Sequence, residues 1–142
     1  MSQNIRYVRW VAAIAVLVSA FVHLKLWADG MKHLDVVGPA FLLNGIGGLV
    51  IAGLLLGWRH WLPTFLTLGF GLSTLGAFLL STLPAGFFGV HEHWVGGYVW
   101  AAAVSEVVAV VTGGLLLATA GRLQRSGRQP EHRTAVRGAH LH

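Results

Sequence analysis

Cysteine is absent from the 142 residues. That excludes disulfides, thiolate metal sites and cysteine nucleophiles. Charge is scarce as well. Only 11% of the residues are Asp, Glu, Lys or Arg, against about 25% in a soluble globular domain. With 55% hydrophobic residues, a chain this short cannot bury its apolar surface in one water-soluble core. Familiar catalytic motifs are missing too. No Gly-rich loop ends in Lys-Ser or Lys-Thr, and no Gly-x-Ser-x-Gly occurs. Gly45-Ile46-Gly47-Gly48 lies inside an apolar run and reads as helix packing. Intramembrane haem is disfavoured, because two deep histidines on different helices are needed and only His23 lies within a span.

What the chain does contain is four long apolar runs, at residues 8–27, 36–57, 62–83 and 95–120. Each is near the roughly 20 residues that cross about 30 Å of hydrocarbon at 1.5 Å per residue. The links between them are short, so successive spans should be antiparallel neighbours. The expected fold is an all-α membrane protein: an up-down-up-down four-transmembrane-helix bundle over residues 1–120, then a basic tail over 121–142. The lipid bilayer is its first partner.

Orientation follows from the basic residues. Arg6, Arg9, Arg59, Arg122, Arg125, Arg128, Arg133 and Arg137 fall on one side, and Lys25 and Lys32 on the other. Such an asymmetry puts both termini in the cytoplasm. Trp10, Trp58 and Trp61 mark the inner boundary and Trp27, Trp94 and Trp100 the outer one, as interfacial indoles do. The setting expected is a plasma membrane. The net charge of +5 is accounted for by topology and anionic lipid rather than nucleic acid. Arg6 and Arg9 ahead of Val18-Ser19-Ala20 also resemble a cleavable signal peptide, but the apolar run continues past Ala20 to a tryptophan-marked end at Trp27. The tail, rich in Arg, Gln, Ser, Gly and His, should be disordered or lie on the inner leaflet. Each of its five arginines could add about 1 kcal/mol of attraction to anionic lipid.

Helices in lipid associate by close packing and polar contacts, so small residues four apart mark contact faces. Such stripes run through Ala15 and Ser19; Gly48 and Ala52; Gly69, Ser73, Ala77 and Ser81; and Ala101, Ser105, Ala109 and Gly113. Four stripes together indicate a tight bundle with little room for a wide pore.

Glu106 is the residue most in need of a reason. It lies roughly 13 Å below the outer boundary, where an acid costs on the order of 2.5–3.5 kcal/mol. It should face the bundle interior, either protonated or paired. It would carry protons, bind a cation or metal, or hold the helices in register. His23 lies about 6 Å deep and about 7 Å above Glu106 along the axis. It shares a face with Ser19. A carboxyl and an imidazole on facing helices form a natural hydrogen-bonded pair. Asn44 falls between the two in depth and reads as an interhelical hydrogen bond. Ser73, Ser81, Thr82 and Ser105 more simply bond their own preceding carbonyls. The intramembrane polar site is therefore Glu106, His23, Asn44 and Ser19.

His91-Glu92-His93-Trp94 in the last link is a second candidate. Two imidazoles one residue apart point to the same side of an extended backbone. With a third ligand from His23, His33 or Glu92 they would suit Zn²⁺ or Cu²⁺.

In length, composition and layout the chain is similar to the small four-span membrane proteins of high-GC Gram-positive bacteria, a likeness that carries no residue roles. Three functions remain open. The first is a non-enzymatic accessory or structural component of a membrane assembly, with a membrane-protein partner or a homo-oligomer. The second is an extracytoplasmic-face site for a metal, protons or cations, built from His23, Glu106 and the His91/His93 pair. The third is a small quinone or redox-linked enzyme, since a histidine and an acid beside an apolar cleft can donate protons.

Overall fold

In a computed structural model the chain is described over residues 3–91 and 93–126. Four long helices account for most of it: α1 (Gln3–Asp29), α2 (Val37–Gly57), α3 (Trp61–Ser81) and α4 (Gly97–Ser126). All four are long and apolar enough to cross a membrane. Among the described residues there is no strand, only an isolated bridge between Phe87 and Val90. Large apolar side chains such as Phe21, Leu43, Ile46, Leu72 and Val104 are exposed, which lipid accommodates and water does not.

The breaks between helices have local causes. Gly30, at φ 152°, follows the end of α1, and a single 3₁₀ turn over Met31–His33 leads towards α2. Pro39 and Pro63 stand in the first turns of α2 and α3, where a missing N–H breaks no intrahelical bond. The His60 ring caps α3, its Nδ1 accepting the Leu62 N–H at 3.3 Å. In the 82–96 link, Phe88 (φ 49°) and Gly89 (φ 79°) form the centre of a tight turn closed by the Phe87–Val90 bridge. Two consecutive positive φ angles are the signature of a type I′ turn.

The expected spans lie within a few residues of the helices. α1 begins five residues before the start expected at 8 and α4 continues to Ser126, beyond the limit expected at 120. The tail's arginines from Arg128 onward, its histidines and Glu92 lie outside the described residues.

Ala12, Val16, Ala52, Leu55 and Ala109 belong to the buried core. Beside it, Arg9 of α1 reaches across to the end of α2. Its guanidinium donates to the carbonyl oxygens of Leu55 and Trp58, which a helix end leaves without intrahelical donors. Two glycines set the approach of neighbouring helices. A methyl group at Gly48 would stand 2.8 Å from the Ala20 Cβ, and one at Gly71 would stand 2.8 Å from the Glu106 carbonyl oxygen. The second contact seats α4 on α3 at the level of the acid. The expected stripe on helix three is used differently: Gly69 faces open space, while Ser73, Ala77 and Ser81 line a cavity.

Candidate functional site: a polar cluster beside an intramembrane cavity

Three of the four expected polar residues touch. The Ser19 hydroxyl of α1 donates to Glu106 Oε1 of α4 at 3.2 Å. His23 Nε2, one turn further along α1, is 3.8 Å from the same oxygen. His23 Nδ1 lies 2.8 Å from the Ser19 carbonyl oxygen. A carbonyl only accepts, so Nδ1 carries the hydrogen of the neutral ring. Nε2 then presents its lone pair on the side of Glu106. Packing holds the ring in this pose, with Phe41 of α2 at a centroid distance of 4.9 Å.

Glu106 is 1% exposed, and no lysine or arginine pairs with it among the described residues. An isolated buried carboxylate is strongly disfavoured. At 3.8 Å His23 Nε2 is beyond hydrogen-bond reach of Oε1, so two arrangements avoid that state: a protonated acid beside a neutral ring, or a protonated ring beside a carboxylate. Each arrangement is neutral overall. Oε1 is engaged by Ser19, whereas Oε2 is buried with no hydrogen-bond partner among the described residues. Thr74 of α3 lies beside the carboxyl, but its hydroxyl donates to the Phe70 carbonyl at 2.7 Å.

Asn44 is the fourth expected residue, and its Nδ2 is likewise buried without a partner among the described residues. Buried polar atoms are nearly always satisfied, so two orphans in one region need an explanation. Asn44 and Glu106 both line a cavity of about 560 Å³. Its remaining polar lining comes from His23, Ser73, Thr74, Ser81 and Tyr98. The walls are otherwise apolar, with Phe41, Phe70, Phe78 and Phe87 the largest side chains. The 3₁₀ turn contributes Met31, and the type I′ turn contributes Phe87 and Val90.

The hydroxyls sharpen the picture. Those of Thr67, Ser73, Thr74, Ser81, Ser105 and Thr112 each bond a carbonyl three or four residues back on the same helix. Ser19, by contrast, bonds across to another helix.

The histidines of the second candidate are arranged otherwise. His91 Nε2 lies 3.1 Å from the Pro84 carbonyl oxygen, so that nitrogen carries hydrogen and offers no lone pair. His33 is exposed in the 3₁₀ turn and His93 is exposed in the last link. Among the described residues no three His, Asp or Glu side chains group as a metal ion would require.

Sequence reasoning missed the cavity and the roles of Thr74, Phe41 and Tyr98. Phe41 had a signal, since it stands three residues before Asn44 on the same helical face; Thr74 and Tyr98 had none. Compared with protein-family models, with curated proteins and with solved structures, the chain matches none of them.

Proposed function

We propose that this is a four-span plasma-membrane protein that binds a lipophilic small molecule in the cavity, with the polar end of that molecule at Glu106, His23 and Asn44. The observation that carries the reading is the pair of orphaned polar atoms, Glu106 Oε2 and Asn44 Nδ2, on two residues lining one apolar-walled cavity. Its volume of about 560 Å³ is within the roughly 300–1,000 Å³ of ligand sites, which likewise combine apolar walls with a few polar groups. Ala77 lines the cavity midway along one wall. Protein purified from its native membrane should carry a lipophilic compound detectable by mass spectrometry, and Ala77→Phe, which fills the space, should lose it while staying folded. Equal recovery from both proteins would remove the reading.

The topology that goes with it is up-down-up-down with both termini in the cytoplasm and the cavity towards the extracytoplasmic face. Support comes from the basic asymmetry and from contacts that run in opposite sequence order. Ala20 meets Gly48 while Arg9 meets Leu55, and Gly71 meets Glu106 while Leu68 meets Gly113. Reporter fusions at Gly30 and Gly121 should report opposite sides; matching signals would refute the topology. The accessory-component reading has its own support in a shallow apolar groove between α1 and α4, lined by Val11, Ile14, Val18, Val104 and Val108 among others, where a partner helix could pack.

A further inference from the structure

We infer that the ligand's polar end is a carbonyl oxygen on a flat ring, as in the lipophilic quinones, received by the Asn44 amide and the Glu106 carboxyl with His23 as the alternate seat of the proton. The inference rests on the cavity being a binding site, and it follows from which hydrogens are left over.

Asn44 Nδ2 can only donate, and it has no acceptor among the described residues. The group that satisfies it must therefore bring a lone pair. Glu106 Oε1 already accepts from Ser19. When the acid holds the proton, that proton belongs on Oε2, the oxygen without a partner. Two unspent donors then belong to residues that line one cavity, and a carbonyl oxygen is the group that satisfies donors of this kind.

Other head groups fit less well. A lipid amine could face a Glu106 carboxylate, but it has no lone pair for Asn44 once it is charged. A fatty-acid carboxylate would add a second acid beside Glu106, and neighbouring carboxyls disfavour each other's ionisation. The ring is indicated by the walls. Phe41, Phe70, Phe78, Phe87 and Tyr98 surround the space, and aromatic side chains pack on a planar ring by stacking or by edge contacts. His23 extends the lone-pair side of the site. Its Nε2 faces Glu106 Oε1 at 3.8 Å, so a ring that holds the proton in place of Oε2 stands beside the carboxylate and leaves no net charge in the membrane.

The test uses the full chain in phosphatidylcholine vesicles with two probes of equal tail length, decylubiquinone and decylbenzene. Trp94 packs on cavity-lining Phe78 at 4.6 Å between ring centroids, so tryptophan quenching by the quinone reports occupancy, with Ala77→Phe as the filled-cavity control. Quenching by decylubiquinone should saturate, fall to the control level in Ala77→Phe, and resist competition by decylbenzene. Asn44→Leu should weaken binding about tenfold, the equivalent of one hydrogen bond at 1.4 kcal/mol. Glu106→Gln should bind within about threefold, because its amide still donates.

Equal competition by decylbenzene overturns the carbonyl inference while leaving the cavity as a lipophile site. So does loss of decylubiquinone binding in Glu106→Gln with Asn44→Leu unaffected, because the amide of Glu106→Gln still donates and the Asn44 donor would then play no part. If neither probe saturates and Ala77→Phe behaves as wild type, the binding reading falls and the inference with it. The competition arm needs only the wild-type protein, so it decides the matter even where a variant fails to fold.

Discussion

Around Arg9, the side chains of Ala12, Val16, Ala52 and Leu55 exclude solvent almost completely, at 0 to 2% exposure, and the guanidinium closes the end of α2. The half that holds Glu106 is built from the same kinds of residue on the same four helices. Yet it lines a partly open cavity of about 560 Å³ and leaves two buried polar atoms without partners among the described residues. The contrast separates two tasks along one axis. Lipid supplies no hydrophobic force between helices, so stability must come from close contact and polar bonds; the Arg9 half has both. The other half gives up contacts around the cavity for which a ligand is proposed. Proteins tend to break local rules of packing and polar satisfaction at functional sites, and here the breaches fall together in one place.

The largest expected effect tests that division directly. Leu55 is fully buried, and Leu55→Ala should destabilise the protein by about 2–5 kcal/mol, the range for a large-to-small change in a packed core. Leu26 is partly buried and lines the cavity, so its side chain already lacks neighbours on one side. Leu26→Ala should cost less than half as much. Unfolding of both variants in mixed detergent and SDS micelles would measure the difference. Equal losses would show that the two halves are packed alike and would end the comparison.

How far this was legible in the sequence differs between the halves in an instructive way. The spans were legible because a run of about 20 apolar residues has few alternatives. Glu106 was legible because lipid makes an acid conspicuous. Its approach to His23 followed from helical spacing, with the expected gap of about 7 Å along the axis reduced to 3.8 Å between side-chain atoms; its hydroxyl donor was expected on α3 or α4, and is Ser19 of α1 instead. The cavity was not legible. Ser73, Ala77 and Ser81 have the spacing of a contact stripe, but spacing says only that residues share a face, and tertiary placement decides whether another helix covers it. Nor was the use of Arg9. As a charge count it contributes only to the expected orientation; its bonds to Leu55 and Trp58 depend on α2 ending beside it. For the His91/His93 pair, residue types suggest a site, and the structure adds only that the Pro84 carbonyl engages one His91 ring nitrogen.

The smallest expected effect gives the finest test of what sets the polar half apart. Ser19 and Ser105 are both buried serines, yet one hydroxyl bonds Glu106 across the bundle and the other bonds Ala102 on its own helix at 2.8 Å. Removing the second should leave stability nearly unchanged, because the carbonyl it bonds already belongs to the helix ladder. Removing the first should cost about 0.6–1.7 kcal/mol, the span measured for interhelical hydrogen bonds in membranes. Part of that cost would come from Glu106 Oε1, which would lose its donor and leave the carboxyl with no hydroxyl partner on either oxygen. A double-mutant cycle isolates the contact. Ser19→Ala combined with Glu106→Gln should destabilise less than the sum of the single changes, by about 0.6 kcal/mol or more, whereas Ser105→Ala combined with Glu106→Gln should be additive. Additivity in both cycles would mean that Ser19 does not hold the acid in place, and the placement of Glu106 beside His23 would lose the bond that fixes its geometry.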